Sequence, residues 1–454
     1  MKLNRTLTTS PGSRTRRASD RLLAHFAFTA HGTNLQREVV GGLTTFLTMS
    51  YIIMVNPAVL HAAGIPLGAS MVATIVTAIF GTVIMGVYAN RPFAVAPYMG
   101  ENAFIAYTVV QALGYPWQAA LAAVFLGGVL FLLLTVFRLR QWLVSALPES
   151  LRYSFAVGIG LFLAFVGLNE SGIVVLGTPQ APLKAGALVS APVLLAIAGF
   201  LLIAVLLIRR FPGAILIGIV GTTILGIATG VTPRPHGWIS APPSLAPVFF
   251  KLDFSSVFSW SFFPVVLTIF LMAFVDTMGT LIGVSARAGF LDEKGELPQI
   301  ERPMLTDALT TMFAPLVGTT TAGAFIESAT GIEAGGRTGF AALVTAACFA
   351  LTLFFSPFVA AIPPQAYGPA LIVVGLLMLA PVTRFRFDDL TEVVPGFAVV
   401  AMMSFTYNIG IGITAGLVLY PLCKIVAGRW REVRGGLWVL GALSLLFFIF
   451  YPYR

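Results

Sequence analysis

Four carboxylates stand in stretches of this 454-residue chain that are otherwise apolar: Glu101, Asp276, Glu327 and Glu333. A charge placed in a membrane-spanning helix costs ~2.5–3.5 kcal/mol on insertion scales, so each is a candidate for function. Asp276 lies in Phe274–Gly283, next to Thr277 and one helical turn before Thr280. It reads either as a ligand or as an anchor tying helices through threonine hydroxyls. Glu327 follows Gly318–Phe325, a run of small and hydroxyl residues too irregular for a good helix. That run predicts extended backbone entering a half-helix, with Glu327 in its first turn as a binding acid or as a cap on free N–H groups. Glu101 follows Pro97 in a comparable setting. Asp307, near a segment start, and Glu333, beside Gly335, Gly336 and Arg337, are expected to reach the membrane interface.

Half-helix starts offer N–H donors, and carboxylates accept. Together they suit a neutral, flat ligand carrying both C=O and N–H edges, as a nucleobase does, whereas a bare inorganic anion would be repelled by Glu101, Asp276 and Glu327. Tyr98, Phe325 and Phe46 offer rings to stack on such a ligand. A carboxyl in a low-dielectric site can also carry a proton, so proton coupling is expected.

The elements that position these groups are set by composition. The chain is 57% hydrophobic and 10% charged, against roughly 25% charged in a soluble domain, so lipid is its solvent. A span needs about 20 apolar residues. Candidates are 39–62, 68–89, 93–112, 117–137, 151–169, 190–208 and 211–229, then 262–285, 304–320, 323–335, 339–361, 367–382, 393–407, 409–427 and 436–452. Segment 323–335 is too short for a full span, and 436–452 is a doubtful extra. With the Arg-rich N-terminus (Arg14, Arg16, Arg17, Arg21, Arg37) in the cytoplasm, alternation puts 23 basic residues on that side and 4 on the other, as the positive-inside rule requires. The net charge of +9 then belongs to loops facing lipid headgroups; no nucleic-acid partner is needed.

Two polar stretches interrupt the pattern. One, 230–261, contains Ser240–Pro247 (SAPPSLAP) and acts as an extracytoplasmic linker; the other, Arg287–Pro303, is cytoplasmic. The division is a cytoplasmic tail 1–38, a first repeat 39–229, the linker, a second repeat 262–427, and a C-terminal segment 428–454. An odd number of spans per half predicts inverted repeats. Ala96–Asn102 (APYMGEN) aligns with Ala322–Ser328 (AGAFIES): each has Ala, a helix breaker, three uncharged residues, Glu, and a small polar residue. Interrupted segments of this kind point to a midplane site. No G-x-x-x-x-G-K-[ST] motif occurs, which argues against an ATP-driven pump, and no cleavable signal peptide is expected. Cys348 and Cys423 read as packing residues. The histidines (His25, His31, His61, His236) lie at segment ends rather than in a proton relay. No cofactor is expected.

At Gly42–Pro57, Ala96–Phe104, Ser240–Pro247, Val275–Gly289 and Phe325–Gly339 the chain resembles the nucleobase cation symporter-2 (nucleobase–ascorbate) transporters, in their AzgA-like hypoxanthine/adenine/guanine branch. The resemblance implies an all-α polytopic fold of two seven-helix inverted repeats, about 14 segments forming core and gate domains. It implies short strands and half-helices in segments 3 and 10, and often a homodimer. Asp276 and Glu327 fall on the family's two acids, which hydrogen-bond the base and take part in proton coupling, with Glu101 as a third candidate. Thr280, Phe325, Ile326, Tyr98, Asn102 and Phe46 complete the expected site. Two departures bear on cargo. The branch usually has Gly at the position of Tyr98 and an aliphatic residue at that of Glu101. It also tends to have Thr, Thr, Ser and Tyr where this chain has Ala322, Gly323, Ala324 and Phe325. The expected function is proton-driven import of a nucleobase, most often a purine, across the cell membrane. The alternatives are uracil or another heterocycle, a sulfate- or bicarbonate-type anion, or a channel or receptor.

Overall fold

The computed structural model describes residues 26–137, 146–178, 181–235, 237, 239–255, 257–292 and 297–451. Most of the basic N-terminal tail, together with His25, Arg138, Arg140, His236, Lys294 and Arg454, lies outside the described residues.

The chain runs through α1 (Leu35–Met49), α2 (Ile52–Ala62), α3 (Leu67–Val87), β1 (Val95–Pro97) and α4 (Met99–Ala103). A π-helix (Phe104–Ala112) extends α4, followed by α5 (Trp117–Val136), α6 (Glu149–Glu170), β2 (Val174–Thr178), β3 (Ala181–Ala185), α7 (Ala191–Ile208) and α8 (Ala214–Ala228). After the polar linker come α9 (Phe263–Ala288), α10 (Glu301–Val317), β4 (Ala322–Ala324), α11 (Ser328–Glu333) and α12 (Gly339–Ala360). The chain ends with α13 (Pro364–Met378), α14 (Leu390–Phe405), α15 (Ile409–Val426) and α16 (Gly435–Phe450). Nine helical stretches among the described residues are long and apolar enough to cross a membrane.

The structure adds two details to the expected fold and corrects one expectation. The first span, Leu35–Ala62, is interrupted at Ser50–Tyr51 and so is made of two helices. To the expected helical fold the structure adds β2 and β3, a largely exposed antiparallel hairpin with Val174 opposite Ala185. Asp307 is not interfacial: it is fully buried, and its Oδ2 accepts the Ala324 N–H at 3.2 Å. Glu333, by contrast, is exposed at the end of α11.

Two bundles form. In one, α6 packs along α13 and α14, α14 along α15, and α7 along α8 and α13. In the other, α3 packs on α10 and α12, α5 on α9 and α10, and α1 on α11 and α12. Without a hydrophobic force between helices in lipid, close packing relies on small residues. Gly160 of α6 and Gly375 of α13 show this. A Cβ at either would collide with the other's carbonyl oxygen.

Polar connections sort the connectors into two faces. On the N-terminal face, the buried Glu38 carboxylate accepts the N–H groups of Arg337, Thr338 and Ala341 at 2.9–3.3 Å. There too Asn90 accepts from Gly339, and Arg91 donates to the Pro298 carbonyl. On the opposite face, Gln111 reaches the Ala62 carbonyl and Ser240 reaches Ser356.

Candidate functional site

Helix gives way to strand between α3 and α4 and again between α10 and α11. β1 and β4 pair antiparallel: Val95 with Ala324, Ala96 with Gly323, Pro97 with Ala322. The aligned motifs put Ala96 on Ala322 and Pro97 on Gly323, and the register crosses those pairs, as a local two-fold axis between them requires. Two isolated strands in a bilayer would leave their outer edges unpaired at a cost of several kcal/mol per group. Threonines of neighbouring helices prevent this. Thr82 of α3 accepts the Val95 N–H (2.9 Å) and donates to its carbonyl (3.1 Å). Thr311 of α10 does the same for Ala322 (3.3 and 2.8 Å). Ser328 accepts the Ala94 N–H and Asp307 that of Ala324, so each strand edge is closed.

At the end of β4 the chain turns into α11. Glu327 holds the N-cap position, but its side chain makes no capping bond. It accepts instead from the Tyr51 hydroxyl at 2.7 Å. Tyr51 is 1% exposed at the α1–α2 break, so that break aims a buried phenol at the acid. Ile326, one residue earlier, is 54% exposed, although Phe325 before it is buried and Glu327 after it is partly so. Across from it runs the face of α9 that carries Asp276 and Thr280, both half-buried. On that face a Cβ at Gly279 would meet nothing within 4 Å, and one at Gly283 only Ile326 Cδ1 at 3.9 Å. An open vestibule therefore reaches Glu327 and Asp276 along the half of α9 that leads to the N-terminal face.

The wall of the site is aromatic. Tyr98 and Phe325 lie parallel, 5° between planes and 6.3 Å between ring centres, one at the end of each strand. The Tyr98 hydroxyl bonds Thr277 Oγ1 at 3.2 Å. Its ring crosses Gly323, where a Cβ would collide with the Tyr98 hydroxyl oxygen. Glu101, fully buried, has no hydrogen-bond donor on either carboxylate oxygen and adjoins the Asp276 carboxyl.

The expected site residues thus divide. Asp276, Thr280, Glu327 and Ile326 line the vestibule, Tyr98 and Phe325 form the wall, and Glu101 sits behind Asp276. Asn102 spends its amide on Asn56, which in turn donates to Thr74 at 2.7 Å and Thr319 at 3.0 Å; it ties helices together. Phe46 packs edge-on against Phe349 of α12, 5.3 Å between centres, rather than on the aromatic wall. Reasoning from sequence missed Tyr51, whose only signal is its place in the Gly42–Pro57 motif. It also missed Glu170, at the end of α6, whose oxygens accept from Tyr107 and Tyr367, each at 2.9 Å.

Comparison with known proteins agrees with this architecture. The xanthine/uracil permease model, described as "Permease family", matches residues 36–418. Adenine permease AdeP of Escherichia coli is 41% identical, covering 94% of this chain and 95% of its own. Guanine/hypoxanthine permease PbuG of Bacillus subtilis is 38% identical, covering 94% and 99%. Among solved structures, the transmembrane domain of the cyanobacterial bicarbonate transporter BicA aligns at a TM-score of 0.61 with 18% identity, over 84% of this chain and 97% of that one. Murine Slc26a9, an anion transporter, aligns at 0.61 with 14% identity, over 87% and 69%. At these identities the structural likeness speaks for the fold alone. A permease-family match from the first span to α15, on a helical membrane fold crossed at its centre by two strands, places the chain in the xanthine/uracil (nucleobase–ascorbate) permease family.

Proposed function

We propose that the protein moves a purine nucleobase across the cell membrane together with a proton, its N-terminus facing the cytoplasm. The observation that carries this reading is Glu327, held by Tyr51 at the inner end of a vestibule beside two parallel aromatic rings. A carboxylate accepts two N–H bonds from one edge of a base, and flat faces stack on the rings. The adenine and guanine/hypoxanthine permeases among its relatives support a purine. Proton coupling rests on Asp276 and Glu101. Two adjoining carboxyls with no donor on Glu101 share one proton rather than both carrying charge, and a base docking nearby changes that balance.

Competition by adenine, hypoxanthine, guanine, xanthine, uracil and ascorbate against one labelled purine, in proteoliposomes at two pH values, tests the cargo. Inhibition by uracil alone would move the assignment to pyrimidines, and uptake of sulfate or bicarbonate with no base bound would end it. Glu327→Gln is expected to abolish base binding, because an amide cannot accept two N–H bonds as the anion does. Asp276→Asn is expected to retain counterflow exchange and lose accumulation driven by a pH gradient. Accumulation equal to that of the unmodified protein would refute the role of Asp276.

A further inference from the structure

On the face opposite the N-terminus, a cluster of phenols around one carboxylate joins the two bundles. Glu170 ends α6, in the bundle of α6–α8 and α13–α15. Its Oε2 accepts from Tyr367 of α13, in the same bundle, at 2.9 Å. Its Oε1 accepts from Tyr107 at 2.9 Å, and Tyr107 belongs to the π-helix that continues the strand β1, in the other bundle. Next to Tyr107, the Thr108 hydroxyl donates to the Tyr407 carbonyl at 2.9 Å. Tyr407, in the α14–α15 turn, packs edge-on against Tyr107 at 5.8 Å and against Phe162 of α6 at 5.1 Å. A Cβ on Gly410 of α15 would stand 2.6 Å from Thr268 Oγ1 of α9. The bundles therefore touch closely here.

At the other end they do not. The α9 face from Asp276 to Gly283 looks onto open space and the exposed Ile326. The same molecule is shut on one side of the strand crossing and open on the other, which is one end state of an alternating-access cycle. We propose that Glu170 is the latch of the closed side, a residue that holds Tyr107 of the moving segment against Tyr367 and must release it each time the site opens to that face.

The chemistry suits a reversible latch. Among the described residues no ion pair reaches Glu170; both of its bonds come from neutral phenols. A charge-assisted O–H···O bond is strong enough to bias a two-state equilibrium, and water can replace it when the mouth opens. A buried Arg or Lys in the same place would leave an unpaired charge at every opening. The π-helix lets Tyr107 lie off the ordinary helical spacing, a geometry often found at functional points of helices. Because Tyr107 and β1 are on one continuous segment, a movement of the strand crossing is felt directly at Glu170.

The test needs no substrate, so it stands apart from the assignment of cargo. In a Cys348→Ser/Cys423→Ser background, spin labels are placed at Ala112→Cys and Leu188→Cys, exposed positions on the two sides of the cluster. Distances between them are measured by pulsed electron resonance in nanodiscs. The parent is expected to show mainly a short distance. Tyr107→Phe/Tyr367→Phe, which keeps both rings, and Glu170→Ala should add a longer one, raising the open-to-closed ratio about tenfold per bond lost. An unchanged distance distribution in the double phenylalanine variant would overturn the latch. Should Glu170→Ala fail to fold, the phenylalanine pair alone decides.

Discussion

Replacing Gly323 by threonine is expected to damage the protein far more than a surface Gly→Thr change, because the new Cβ would land on the Tyr98 hydroxyl. The branch that this chain resembles has the reverse arrangement, with glycine at the position of Tyr98 and threonine at that of Gly323. The two positions exchange one volume between strands, so Tyr98→Gly should restore thermal stability and purine binding to Gly323→Thr. Non-additivity of 0.5–3 kcal/mol is typical of residues sharing one space; a double-mutant cycle that adds up would show that the positions are independent. Asp276, Glu327 and Glu101 stood out in the sequence because charge in an apolar run has few explanations. Tyr51 was not, since a tyrosine in an apolar helix usually packs, and only the break after Met49 reveals that it points at Glu327.

Short and broken elements depend on a few polar anchors. Glu38 holds three N–H groups at the start of α12 while itself buried. Glu38→Ala leaves those donors without a partner and should cost about 2–4 kcal/mol, read as a lower unfolding temperature and faster amide exchange across 337–341. Its sequence signal was hidden: a glutamate just inside a first turn reads as an ordinary solvated charge. A second anchor lies between α14 and α15, where buried Lys424 sits 2.9 Å from Glu432 and 3.3 Å from Glu392. Arg429 and then Lys424 bring the Glu432 carboxyl down from its ordinary 4.5 to about 2. Thr391 and Arg429 hold Asp389 lower still. Groups depressed in the folded state stabilise it fully above their unfolded values, and that contribution disappears as pH falls through the folded ones. Stability at this corner should therefore hold from neutral pH to about 4.5 and decline toward 2, more shallowly in Glu432→Gln. A thermal midpoint with the same acid slope in both proteins would contradict it.

Across the whole molecule, membrane residence followed from composition and hydrophobic length, which lipid enforces directly. The hairpin of β2 and β3 was not foreseen, because residues that are exposed or only partly buried carry no periodicity that burial would impose. The pairing of bundles was invisible for another reason: it depends on glycines such as Gly160 and Gly375, and glycine is frequent everywhere in such a chain (45 of 454 residues). Sidedness remains a matter of charge. A cysteine at Lys184 should react with an impermeant maleimide from outside intact cells, and one at Arg337 only after permeabilisation. The opposite pattern would invert the assigned topology.

The strand crossing also governs how the protein can be made. β1 leaves the ribosome more than two hundred residues before β4, its partner, an interval of roughly 10–45 s at ordinary synthesis rates. Throughout that time the backbone of Ala96 and Pro97 lacks the ladder that makes it tolerable in lipid. Thr82 can already close the outer edge at Val95, but the inner edge has to wait. The first half must then be sheltered, by the insertion machinery or by water, until the second arrives. A chain truncated before Ala322 should be recognised as unfinished and degraded even though its helices have already entered the membrane.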